Sequence, residues 1–132
     1  AAEQRRELIA AGRSFIAETV FSHASKLAVI RETQSVGYHV YLHVVLVPEE
    51  LSVARVSDRV RRGGHAVPEE KIRARYVRLW PLIVQARTLA ERTYFYDNTR
   101  AATPLRLIAT YEYGLLSGSV DWPGWAPDAL RS

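Results

Sequence analysis

The sequence predicts an α/β fold built on a mainly parallel sheet, and three observations carry that prediction. Tyr38 to Val47, YHVYLHVVLV, is a continuous run of β-branched, aliphatic and aromatic residues stopped by Pro48. Runs of this kind fill the buried middle of a parallel sheet covered by helices. Strand-like and helix-like stretches then alternate in the order βαβααβ, with one further strand after them. No internal repeat or low-complexity stretch interrupts that rhythm. At 132 residues and 48% hydrophobic, the chain buries one core and forms one domain or part of one.

Taken in order, residues 2–11 read as the end of a helix, with Leu8 and Ile9 apolar and Gly12 as the stop. Phe15-Ile16-Ala17-Glu18-Thr19 reads as a short buried strand ending in polar side chains. Ser25 to Gln34 reads as a helix with Leu27, Ala28 and Ile30 inward, closed by Gly37. After the Tyr38–Val47 strand, Val53, Val56 and Val60 line one face of a helix and Arg55, Arg59 and Arg62 the other. Gly63-Gly64 ends it. Pro68 opens the next helix, with Glu69 and Glu70 at its positive end. Ile72, Tyr76, Leu79, Ile83, Ala86 and Leu89 or Ala90 continue its apolar stripe to about Glu91, and Pro81 predicts a kink or a break. Thr93 to Tyr96 is a short strand before the polar loop Asp97-Asn98-Thr99-Arg100. Leu105 to Tyr113 is another strand, and Gly114 to Gly118 a turn before the tail with Trp122 and Trp125.

Composition narrows the function classes. No apolar run approaches the roughly 18 residues of a membrane span, and AAEQRREL is too polar for a secretory signal. The sequence contains no Met, as expected of a processed product or of a stretch starting partway into a longer protein. The absence of Cys excludes disulfides and thiolate metal sites. A formal charge of +4 suits an anionic ligand but is modest for a dedicated nucleic-acid binder, so no specific nucleic acid is expected.

The charge is concentrated. Arg55 to Arg78 packs eight Arg or Lys residues into twenty-four positions against Asp58, Glu69 and Glu70. A helix, a short Gly-Gly-His turn and a second helix would bring arginines together from two arms, which suits a polyanion; a solvated basic face is the plainer reading. Arginine is favoured over lysine at phosphoryl-transfer sites because its planar fork grips phosphate oxygens. Arg62 beside the turn and Arg75 in the second arm are the candidates for a cleft, and Arg59 and Arg61 face solvent. Glu18 ends a buried strand, where open α/β sheets place ligands. With Thr19 it either holds a substrate hydroxyl or amide, or it caps the next helix or pairs with an arginine. Asp97-Asn98 is either a plain turn or a flank for a nucleotide base. His39 and His43 share a face without further ligands, so no metal site is assigned. The tryptophans read as core or edge packing rather than base-stacking groups.

These residues carry a resemblance. GRSFIAETVFSH, ARVSDRVRRGGHAVPEEKIRARYVRLWP and YFYDNTR together resemble the zeta-toxin-like family of P-loop kinases over nearly the whole chain. The RRGGHAVPEEKI–RYxRLWP block is the most specific part. The resemblance implies a P-loop kinase-like three-layer α/β/α fold, incomplete at the N-terminal side. Residues 1–132 would then be the C-terminal portion of one kinase domain, with a helical lid hairpin at about 50–80. It also implies ATP or GTP with Mg2+, phosphorylation of a sugar nucleotide such as UDP-N-acetylglucosamine, a cytoplasmic setting and an antitoxin partner. By that resemblance Glu18 contacts the sugar nucleotide, and no role is carried onto Thr19 beside it. Arg62 and Arg75 stabilise the transferring phosphoryl group, with Arg59 in reserve for Arg62, and Asp97 and Asn98 pass the nucleotide base. The departure is as specific. No GxxxxGK[ST] occurs in the sequence, and that loop is what cradles the phosphates and supplies a magnesium ligand. The family's general-base aspartate lies upstream of this stretch as well. Alone, the chain is expected to be inactive, and the missing N-terminal segment becomes a candidate partner. An anion-binding or protein-interaction module is the alternative.

Overall fold

A computed structural model describes residues 23–131. Helix α1 (Ser25–Ser35) leads into strand β1 (Tyr41–Leu46), and helices α2 (Glu49–Arg61) and α3 (Glu69–Leu89) follow. Strands β2 (Arg92–Asp97), β3 (Arg106–Glu112) and β4 (Leu115–Ser117) and the short helix α4 (Asp128–Arg131) complete the chain. Leu27 and Ile30 are buried in α1, which ends in Gly37 at a φ of +94°, whose amide donates to the Gln34 carbonyl. Ala28 is exposed, and Thr33 is buried in its stead. In α3 the expected stripe holds in part: Ile72, Ile83 and Ala86 are buried, Tyr76, Leu79 and Leu89 are half-buried, and Ala90 is buried at the C-cap. The helix runs past Pro81 without ending.

The sheet corrects the expected one. Its order is β1-β2-β3-β4, with β1 and β2 parallel but β2–β3 and β3–β4 antiparallel. It is therefore mixed and mostly antiparallel, not mainly parallel. The cause is connection length. Parallel neighbours need a crossover of a dozen or more residues, which α2 and α3 provide between β1 and β2. The loop from Asn98 to Leu105 is too short for that, so β3 turns back beside β2. Tyr113-Gly114 then makes a tight hairpin, with φ of +50° and +80°, as primed two-residue turns require. A Cβ on Gly114 would lie 3.1 Å from the Thr88 backbone, so a side chain there would press on α3.

The expectation of helices on both faces is also corrected for the described residues. One face carries Leu46, Phe95 and Tyr111, which pack with Leu27, Ile30, Trp80, Ile83 and Leu130 in one core, and Thr93 is buried on the same face. The other presents Tyr41, Val45, Leu107 and Leu115 to solvent, Leu115 at 74%. Strand β1, expected at the centre, pairs only with β2 among the described residues. Its burial alternates rather than running continuously, because one of its faces meets the core and the other carries the exposed Tyr41 and Val45. The tryptophans are packing residues, as read. Trp80 is buried, and Trp122 meets Phe95 edge-on with ring centroids 5.3 Å apart.

Candidate functional site: an arginine-bearing hairpin on the strand ends

The carboxyl ends of β1 and β2 lie side by side because the strands are parallel, and the Asn98 amide donates to the Leu46 carbonyl at 2.9 Å. Open α/β sheets bind ligands beyond such ends. Asp97 closes β2 there. Its carboxylate accepts the amide and hydroxyl of Thr99, and it pairs with Arg106 at 3.3 Å. Burial alone would raise the Asp97 pKa, but the Thr99 donors and the Arg106 charge outweigh it and hold the carboxyl below its ordinary value. A folded-state pKa below the unfolded one stabilises the fold above the unfolded value and loses that contribution as pH falls. The stability gap between the parent and Asp97→Ala should thus be full above pH about 5 and shrink steadily below about 4. Urea titrations across that range check this, and a gap constant down to acid would show that the Asp97 charge contributes nothing.

Two side chains fasten α2 and α3 to these strand ends. Arg55 donates to the Asn98 carbonyl at 3.0 Å, and the Tyr76 hydroxyl donates to the Val47 carbonyl at 2.8 Å. Burial, with the Glu49 charge nearby, pushes the Tyr76 pKa up to about 12, so the phenol keeps its donor proton. A third contact joins the helices to each other. Arg73 Nη1 lies 2.7 Å from both Glu49 and Glu50, and its Nε lies 3.4 Å from Glu69.

That junction fixes how the hairpin is laid out. Arg62 caps the carboxyl end of α2, whereas Arg73 is tied to the amino end. From Glu50 to Arg62 the helix rises about 18 Å. The link between the helices spans Arg62 to Pro68 and is longer than a Gly-Gly-His turn. Gly63, at a φ of +98°, starts it, and Gly64 lies so close to α2 that a Cβ would stand 3.0 Å from the Arg59 carbonyl. Arg75 therefore rides near the base of the hairpin and Arg62 at its far end.

Of the residues singled out from sequence, Arg62 pairs with Asp58 at 3.4 Å and is 80% exposed. Arg59, Arg61, Arg75 and Arg78 are exposed, and their side chains have no hydrogen-bond or ion-pair partner among the described residues. Asn98 is half-buried beside the strand ends. Glu18 and Thr19 lie outside the described residues. Sequence reading missed the anchors Arg55 and Tyr76 and the junction at Arg73. The Glu69–Arg73 spacing of one helical turn was a usable local signal, but nothing local announces Glu49 and Glu50.

No group of three His, Cys, Asp or Glu able to hold a metal occurs among the described residues. No described helix is long and apolar enough to cross a membrane. A separate cleft of about 360 Å³, lined by Gln34, His39, Glu91 and Tyr113 among others, lies at the amino ends of β1 and β2. There Glu91 accepts from the Val40 amide at 2.9 Å and pairs with His39 at 3.1 Å, tying strand to strand. Compared with known proteins, residues 1–109 match the family model described as Zeta toxin. No curated protein and no solved structure matches.

Proposed function

The chain belongs to the zeta toxin family, and from that premise we propose that it supplies the acceptor side and the arginine lid of an ATP- or GTP-dependent phosphotransferase. The acceptor class is a sugar nucleotide such as UDP-N-acetylglucosamine. One observation carries the reading: solvent-exposed arginines, Arg62 beside Asp58 and Arg75 with no side-chain partner among the described residues, sit on a hairpin anchored to the carboxyl ends of two parallel strands. In this role Arg62 and Arg75 fork onto the oxygens of the transferring phosphoryl group, where negative charge is gathered. Arg59 stands in reserve near the end of α2. Glu18, with Thr19, accepts from and orients the acceptor. Asp97 and Asn98 flank the base, with the Asn98 side-chain amide as the group open to it, since Thr99 and Arg106 hold the Asp97 carboxylate. The bound nucleotide with its Mg2+ supplies the phosphoryl group and neutralises its charge. Partners of this reading are the P-loop-bearing N-terminal segment of the family and an antitoxin, in the cytoplasm.

Binding of a fluorescent ATP analogue tests the proposal. It should saturate, be competed by ATP and GTP, and weaken about tenfold in Arg62→Ala or Arg75→Ala, an effect of roughly 1.4 kcal/mol. Arg61→Ala should change it little. The chain alone should transfer no phosphoryl group. Equal losses in all three variants, with salt-sensitive competition by any polyanion, would instead favour an anion-binding or interaction module. The bare arginines of α2 and α3 are the observation on that side.

A further inference from the structure

Both helices of the hairpin begin with the same tripeptide, Pro48-Glu49-Glu50 and Pro68-Glu69-Glu70. In each, the proline stands at the N-cap with extended backbone and the two glutamates occupy the first turn. Carboxylates there favour each helix by itself, because they meet its positive end. Packed together, the same two turns bring three carboxylates, Glu49, Glu50 and Glu69, around one point. Arg73 is the cation placed between them: one guanidinium reaches Glu49 and both oxygens of Glu50 on α2, and Glu69 on its own helix.

We propose that Arg73 is a positioning residue, a charge clamp that holds the two acidic first turns together and thereby sets where the hairpin carries Arg75, two residues along. The clamp differs from an ordinary surface ion pair. Exposed pairs contribute little when one flexible cation meets one flexible anion. Here one planar fork satisfies three carboxylates, and Arg73 is only 32% exposed. Its removal does more than delete an attraction, because it leaves like charges facing each other. The helices are otherwise fastened to the strand ends by Arg55 and Tyr76, so loss of the clamp should change the angle between them rather than unfold them.

The chain has no cysteine, so labels can be placed at will. Spin labels at Ser57→Cys on α2 and Gln85→Cys on α3, both exposed, report the distance between the helices. The parent should give a narrow distribution and Arg73→Gln a shifted, broader one, with far-UV circular dichroism unchanged. Neutralising the acids in that background, as Arg73→Gln with Glu49→Gln and Glu50→Gln, should restore the narrow distribution. If Arg73 served only by filling space, the added substitutions would not restore it. An unshifted distribution in Arg73→Gln, or a shifted one that neutralisation fails to recover, would overturn the clamp. The consequence for Arg75 rests on the phosphotransferase reading and is read separately. Nucleotide affinity lost in Arg73→Gln should return on neutralisation, whereas the loss in Arg75→Ala should not. A parent that binds no nucleotide would remove that reading and leave the distances to decide the clamp.

Discussion

Phe95→Ala should lower the unfolding free energy by about 3–5 kcal/mol, the usual range for deleting a buried aromatic side chain. Phe95 is fully buried at the middle of β2, where four parts of the chain meet. Its ring stands edge-on to Tyr111 of β3 at 5.7 Å and to Trp122 of the tail at 5.3 Å, geometries favoured by the ring quadrupoles. Its backbone pairs with Val44 on one side and Ala109 on the other. Since rigid strands hem the site on both sides, the cavity cannot collapse, which places the loss toward the upper end. Phe95→Leu keeps most of the volume and should cost clearly less. Urea unfolding monitored by tryptophan fluorescence measures both. A loss below about 1 kcal/mol for the alanine variant would show that β2 is not the centre of the core.

The contrast between β2 and β1 explains what was legible in the sequence. Helix faces were readable because a 3.6-residue period repeats along one element: Leu27 and Ile30, or Ile72, Ile83 and Ala86, announce their burial locally. The strands were readable as strands for the same reason. Their arrangement was not: Tyr38–Val47 was taken for a central strand from its continuous apolar run, although His39 and His43 mark the face of Tyr41 and Val45 as the more polar one. In the structure Tyr41 and Val45 point to the uncovered face, a fact that depends on what packs there. The antiparallel turn of β3 was available from loop length, since the Asn98–Leu105 link cannot hold a crossover helix. The turn at Tyr113-Gly114 was available too, from its glycine. At the site, the arginines were plain from composition, but the contacts that position them were not. Arg55 reaches a carbonyl 43 residues away, and Arg73 reaches carboxylates 23 and 24 residues away. Such contacts are set by packing of α2 on α3, which no local period encodes.

The same limit makes Arg87 the most instructive residue of the core. In the sequence it is one more arginine near the end of a basic helix. In the structure it is buried, donates to the Leu130 carbonyl at 2.9 Å and lies 4.2 Å above the Tyr111 ring. It thus holds α4, whose Leu130 is itself fully buried, against α3 and the sheet. Arg87→Ala should cost about 2–4 kcal/mol, combining the loss of a charged donor, an unpaired buried carbonyl and a void under Tyr111. Arg87→Met separates these contributions. It refills the void with an unbranched side chain and removes the need to desolvate a cation, a cost that can match the gain from buried charged contacts. Methionine should therefore recover at least half of the alanine loss. Hydrogen exchange then locates the effect: in both variants the Leu130 amide, which donates to the Pro127 carbonyl, should lose protection before the β2 and β3 amides do. If the methionine variant were as unstable as the alanine one, the guanidinium itself would be the fastening of the tail. If neither variant altered Leu130 exchange, α4 would be held independently of Arg87, and Arg87 would belong to the core without clamping it.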